Sequence, residues 1–244
     1  MARIAYDDSS AAAFAATRHL PTAGLDEWRT AVTRHVPPQG TLLDIGAGTG
    51  MWSREFATWF PALQVVAVEP SASMRARSGF SPMIGGDALA LPLRAGSVDV
   101  VWLSTVIHHI PDLAGLARSL RRVLRPGGRV LIRSAFAGRP DGISLFRWWP
   151  EATRVLDTFP GVADVEEAFA GFHADPVEAV PQLSAPSLAA AADGFRRAAH
   201  TPLQLITDEE YAAGLERLRA AAQADPHRPL IDCLDLLVLR LPGI

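Results

Sequence analysis

Lysine does not occur in this 244-residue chain, and its 23 basic residues are all arginine. They stand against 26 acidic residues, for a net charge of −3. That balance argues against dependence on a nucleic-acid backbone, which calls for clustered cations. Cysteine occurs once, at Cys233, so no internal disulfide can form and a reducing compartment fits best. Long apolar runs are also missing. The longest stretch, around VDVVWLSTVI, is far too short to span a bilayer. The opening MARIAYDDSS carries two aspartates and no apolar core, unlike a secretory leader. These absences predict a cytoplasmic globular protein with no membrane and no nucleic-acid partner. With hydrophobic residues at 49% and charged residues at 20%, the chain has enough apolar material for a packed core.

The runs that are present alternate in period. SAAAFAATRHLP and LDEWRTAVTRHV read as helices that stop at Pro21 and at Pro37-Pro38. Strands are expected at TLLDIG, LQVVAVEP, SVDVVWLSTV and VLIRSAF, with helices at MWSREFATWF, SASMRARSG and LAGLARSLRRVL. SPMIGGDA reads as short and extended, and RPGGR as a turn. Strand and helix so alternate from 41 to about 136, which predicts a parallel sheet covered by helices on both faces. Ligands of such sheets bind beyond the carboxyl ends of the strands. After 137 the texture changes. GRPDGISLFRWWPEATRVLDTFPG reads as a helical insertion over the site, DVEEAFAGF as a short helix, and PVEAVPQL as a strand broken or on an edge by its prolines. SLAAAADGFRRAAH and TDEEYAAGLERLRAAAQAD read as helices, and IDCLDLLVLRL as a last strand. The expected units are an N-terminal helical segment at 1–40, a core at 41–137, a helical cap at 138–172, and strands and helices at 173–244 that complete sheet and cap.

The turn LLDIGAGTG, residues 42–50, follows the first expected strand. A dinucleotide fingerprint, G-x-G-x-x-G, needs its third glycine at position 51, which is Met51. Asp44 beside the turn would repel a pyrophosphate and attract a cation. At about 4 Å and an effective dielectric of about 20, two unit charges interact by roughly 4 kcal/mol. The turn suits a nucleoside ligand with positive charge near Gly46, Ala47 and Gly48. Gly50 fits the start of the next helix. A nicotinamide-dependent oxidoreductase is disfavoured on both counts.

LLDIGAGTG resembles the first motif of class I S-adenosylmethionine (SAM)-dependent methyltransferases, and four further segments agree in order: VVAVEPS, GGDALALP, VDVVWLSTVIHHIPD and LRRVLRPGGRVLI. Together they cover 42–134 and are most similar to the small-molecule subgroup. The resemblance implies a Rossmann-like, seven-stranded, mostly parallel sheet, with SAM as cofactor and S-adenosylhomocysteine (SAH) as product. It implies a turn around the methionyl part, with Asp44 anchoring the ammonium or holding the turn. It gives Glu69, 19 residues past Gly50, both ribose hydroxyls. Pro70 and Met74 pack adenine and ribose, Asp87 meets the adenine amino group, the Ala88 backbone sits beside the ring, and the Ser104 backbone lies by the sulfonium.

The acceptor end is less determined. His108 and His109 follow the fourth strand at the ligand edge, and histidine is the usual general base. HHIPD recurs in the resembling subgroup across unlike substrates, which favours structure or shielding, with His109 the choice if one of them moves a proton. Asp112 reads as a helix cap, and no ligand set for a metal is present. Arg18 is a possible partner of the methionyl carboxylate. Tyr6, His108, Arg133, Phe146 and Trp149 are expected around the substrate pocket. Arg133, in an apolar strand, demands a partner. Trp148 and Trp149 point in different directions, so one faces core and the other the pocket. The expected reaction is methyl transfer to the O, N or C of a small organic acceptor. The Ala- and Arg-rich, lysine-free composition suggests a high-GC bacterial origin and a secondary-metabolite acceptor. A SAM-binding protein without catalysis is the alternative. Nucleic-acid methylation is disfavoured because STVIHH stands where amino-methylating relatives carry a proline pair and an aromatic.

Overall fold

The computed structural model describes residues 21–243. Its helices and strands follow the alternation of period. In chain order they are α1 (Thr22–Thr33), β1 (Gly40–Ile45), α2 (Met51–Trp59), β2 (Leu63–Val68), α3 (Ala72–Ala76) and β3 (Met83–Ile84). Then come β4 (Val98–Ser104), α4 (Leu113–Val123), β5 (Leu124–Ser134), α5 (Ser144–Trp148), α6 (Thr153–Leu156) and α7 (Val162–Ala168). The chain continues through β6 (His173–Ala174), β7 (Glu178–Ala185), α8 (Leu188–Gly194), α9 (Thr201–Gln204), α10 (Asp208–Ala224) and β8 (Leu230–Arg240).

The strands form one sheet in the order β3-β2-β1-β4-β5-β8-β6, with β7 also paired to β8. The pairs from β3 to β5 are parallel, and all three pairs of β8 are antiparallel. The sheet therefore has eight strands where seven are expected. The extra one arises at the outer edge, where β6 and β7 lie along the same side of β8. They are separated at 175–177, where Pro176 has no N–H to give a ladder. The prolines of PVEAVPQL predict an edge strand, and β7 is one.

Parallel strands are buried on both faces, and side chains alternate between them. Leu43, Ile45, Val101, Leu103, Val130 and Ile132 enter one core, which α4 covers with Leu116, Leu120 and Val123. Leu42, Val100, Trp102 and Leu131 enter the other, beneath Trp28 and Val32 of α1 and Trp52 and Phe56 of α2. The RPGGR turn falls inside β5. Val98 pairs with Leu124 and Val100 with Arg129, so 125–128 bulge out of the ladder.

A third core belongs to the cap. It joins Leu145, Trp149 and Leu156 to Leu188, Leu203 and Leu218. Val165 and Phe169, inside the expected insertion, instead pack in the first core against the sheet. Trp149 is the pillar of the cap. It is fully buried, donates Nε1–H to the Tyr211 carbonyl at 2.9 Å and stacks on Phe195 at 4.6 Å. A Cβ at Gly214, within α10, would lie 2.0 Å from this indole. Glycine costs a helix about 1 kcal/mol relative to alanine, and here it makes room for a tryptophan. The helix expected over 187–200 is broken for the same reason. Gly194 ends α8, and Phe195 takes an extended conformation that puts its ring between Trp149 and His200.

Candidate functional site

The glycine turn is held by backbone and by one carboxylate. Gly46 and Gly48 take φ of 67° and 56°, values that favour residues without a Cβ. The N–H groups of Gly46 and Ala47 donate to the Val68 carbonyl at 2.8 and 3.2 Å. Glu69 ties the turns after β1 and β2 together. Its Oε2 accepts the Gly48 N–H at 2.9 Å and its Oε1 the Ser71 N–H at 2.8 Å. Burial pushes the Glu69 carboxyl up, opposed by those two N–H groups and by Arg75. Each oxygen has lone-pair capacity beyond the one N–H it accepts here.

Asp44 is 1% exposed at the end of β1, where its Oδ2 accepts the Ser53 hydroxyl proton at 2.6 Å. Burial, reinforced by the charge of Glu69 and resisted by the bonds to Ser53, pushes its pKa up to about 7. A buried carboxyl poised near neutrality gains from a cation set beside it. Gly50 caps the N-terminus of α2, as the spacing predicts, and Met51 is that helix's first residue.

Beside this turn opens a cavity of about 510 Å³. Asp44, Gly46, Ala47, Gly48 and Ser104, five of the expected cofactor contacts, line it. So do His108, Arg133 and Phe146 from the expected substrate wall. Glu69, Pro70, Met74, Asp87 and Ala88 do not. Glu69 is buried behind the turn, Met74 is buried on α3, and Asp87 is exposed with Oδ1 accepting the Leu89 N–H at 2.9 Å. Tyr6 and Arg18 lie outside the described residues.

Two placements correct the sequence reading. His109 does not line the cavity; His108 does. The two sit on a single 3₁₀ turn at Ile107–His109, which sends neighbouring side chains about 120° apart. His108 stacks on Phe159, with centroids 4.2 Å apart and planes 4° from parallel. Trp149 also leaves the substrate wall, because the cap core claims it. Trp148 too is buried in the cap, so neither tryptophan faces the pocket.

Other wall residues give little signal in sequence. Thr105, directly after β4, holds φ at 55° and donates its N–H to the Arg133 carbonyl at 2.7 Å. A β-branched residue in this region stores of order 1–3 kcal/mol of strain, a common feature of ligand-facing turns. Gln182 and Ser184 reach the cavity from β7 and Asp232 from β8. Only the two-residue period of PVEAVPQL hints that Gln182 shares the buried face of Val180. The cap is pinned to β8 at its start. Asp235 takes Arg139 through both oxygens at 2.6 and 3.0 Å, and Asp232 Oδ1 accepts the Ser144 N–H at 2.7 Å. Asp112 caps α4 as expected, accepting the Gly115 N–H at 2.7 Å. Among the described residues no group of His, Cys, Asp or Glu is arranged to hold a metal ion, and no helix is long and apolar enough to cross a membrane.

A buried acid, a left-handed glycine turn and a cavity meet at the carboxyl ends of β1, β4 and β5, where doubly wound folds bind their ligands. Residues 43–132 match the family described as methyltransferase domain. A demethylmenaquinone methyltransferase of Roseiflexus castenholzii is 39% identical over 121 residues, covering 46% of this chain and 50% of that protein. The 27-O-demethylrifamycin SV methyltransferase of Amycolatopsis mediterranei is 33% identical over 146 residues, covering 56% and 52%. The chain thus spans about half the length of these curated relatives. Among solved structures, a Haemonchus contortus phosphoethanolamine N-methyltransferase 2 in complex with SAM superposes with a TM-score of 0.61 at 22% identity, over 98% of this chain and 58% of that one. The [4+2]-cyclase SpnF superposes with a TM-score of 0.58 at 20% identity, over 93% and 84%. These two show a shared fold. Over residues 43–132 the chain is similar to a methyltransferase domain.

Proposed function

We propose that the chain transfers the methyl group of SAM to a small organic acceptor and releases SAH. The observation that carries this reading is the continuity of the cavity: one compartment runs from Asp44 and the glycine turn to the underside of the cap. Asp44 would receive the cofactor's ammonium, and the turn at residues 46–48 would lie against its methionyl part. Glu69 would hold the ribose, and Asp87 the adenine edge with Pro70, Met74 and Ala88. The Ser104 backbone would lie beside the sulfonium. When bound, the cofactor supplies the electrophilic methyl group. The protein supplies alignment and a dry site, and alignment alone is worth up to roughly 7–11 kcal/mol. His108, on the cavity wall, takes the place expected of His109 as the histidine within reach of an acceptor. A secondary-metabolite acceptor fits the composition and the demethylrifamycin in the name of the Amycolatopsis relative.

The fold shared with a [4+2]-cyclase supports a second reading, a SAM-binding protein whose cavity promotes other chemistry. Incubation with methyl-labelled SAM and a panel of phenols, enols and amines, followed by mass spectrometry, separates the two. Labelled product with equimolar SAH supports methyl transfer. SAM binding without SAH formation across the panel supports the second reading.

A further inference from the structure

The acceptor end of the cavity contains a permanent cation. Arg133 leaves the carboxyl end of β5, is 6% exposed and lines the wall next to Ser104. Its position is fixed from several sides. Nη2 donates to Gln182 Oε1 at 2.6 Å and Nη1 to Ser104 Oγ at 3.2 Å. The guanidinium lies over the rings of Trp28 and Trp52, 4.9 and 5.2 Å from their centroids. Gln182 is oriented in turn. Its Oε1 also accepts the Trp28 Nε1–H at 2.9 Å, and its Nε2 donates to Ser184 Oγ at 3.3 Å. Ser184 donates to Asp232 Oδ2 at 2.5 Å. Every donor in this row points toward Asp232, so the row is a line of aligned dipoles with Arg133 at the positive end.

The rest of the wall does not duplicate that charge at depth. Asp44 lies at the glycine turn, where the reading above gives it the cofactor's ammonium. Asp232 accepts from Ser184 and from the Ser144 N–H. His108 is stacked on Phe159, and His200 on Phe195. Arg196 is solvent-exposed, with Nη1 on the Asp193 and Phe195 carbonyls. Phe146, Phe159 and Leu234 give an apolar surface.

Charge at this position separates acceptor classes. A neutral amine becomes an ammonium on methylation and sets a new cation beside a guanidinium. An oxyanion becomes a neutral ether. We propose that Arg133 selects the acceptor by charge, binding an acidic hydroxyl of a phenol or enol as its oxyanion while the apolar body rests against Phe146 and Phe159. The step balances. The hydroxyl proton leaves to solvent, an oxygen lone pair forms the new O–C bond, and the C–S bond breaks with its electron pair left on sulfur.

The proposal rests on the methyl-donor reading, and one titration separates the two. The full chain, saturated with SAH, is titrated with 4-nitrophenol, whose ionised form is read by absorbance from pH 5 to 9. An adjacent guanidinium lowers an acid's pKa by about one to three units. The bound phenol is expected to ionise at least about one pH unit below the free one, a tenfold gain of oxyanion over phenol. Arg133→Gln is expected to abolish this, Arg133→Lys to keep part of it, and 4-nitroaniline to bind more weakly than the phenolate. Lack of nitrophenol binding, an unchanged or raised pKa in the wild-type protein, or a full effect persisting in Arg133→Gln overturns the proposal. Should Arg133→Gln fail to fold, the wild-type titration decides alone. Failure of SAH itself to bind overturns the donor reading instead.

Discussion

At one end of the cavity the wall is backbone: a glycine turn at residues 46–48, held from behind by the Val68 carbonyl and by Glu69. At the other end it is side chain, and the contributors come from β5, the cap, β7 and β8. The first end tolerates little change in conformation, because Gly46 and Gly48 sit at positive φ. The second is held by packing in the cap core and by polar ties such as Arg139–Asp235. A donor common to many enzymes suits a backbone-built site, and an acceptor particular to one suits a wall of exchangeable side chains.

If the two ends are separable, changes at one leave the other intact. The largest effect is expected for Trp149→Ala, which empties the cap core at about 3–5 kcal/mol. Thermal unfolding would fall or become non-cooperative, while SAH affinity of the folded fraction would stay within a few-fold. A matching loss of SAH affinity would break the separation. Asp44→Asn keeps a partner for Ser53 but removes the charge. About a hundredfold weaker SAH binding, ~3 kcal/mol, is expected by calorimetry, with the unfolding temperature of the apoprotein unchanged or raised.

The pH dependence follows from the same carboxyl. With a folded pKa of about 7, above the ordinary carboxylate range, Asp44 binds a proton more readily in the folded state than in the unfolded one. Its contribution to apoprotein stability is therefore greatest at low pH and declines as pH rises from about 4 to 7. Cofactor affinity moves the opposite way, since the ammonium needs the ionised acid. SAH is expected to bind roughly tenfold more weakly at pH 6 than at pH 8, a dependence that Asp44→Asn flattens. The smallest effect is a control. Asp112→Ala removes the cap of α4, which lies outside both ends, and should cost about 1 kcal/mol of stability without altering SAH affinity.

The same contrast explains what could be read from the chain. The donor end is contiguous: LLDIGAGTG carries its own acid, glycines and helix start. Strand period and proline placement likewise identify β1, β2, β4 and the edge position of β7. The acceptor end is assembled from residues as far apart as Arg133, Gln182 and Asp232, whose meeting depends on β8 pairing with both β5 and β7. His108 and His109 are neighbours that a single 3₁₀ turn sends different ways. Trp149 looked like a pocket wall because the cavity under Gly214 that receives it lies on another helix. The break in the helix over 187–200 has a related cause, since the stacking of Phe195 between Trp149 and His200 overrides alanine-rich helix propensity.

The central claim is that the turn at 44–50 holds the methionyl end of SAM. Calorimetric titration of the chain with SAH, and separately with NAD, tests it most directly. The expected result is one SAH per chain, weakened in Asp44→Asn, with no heat from NAD. NAD binding without SAH binding, or SAH binding indifferent to Asp44, would contradict it.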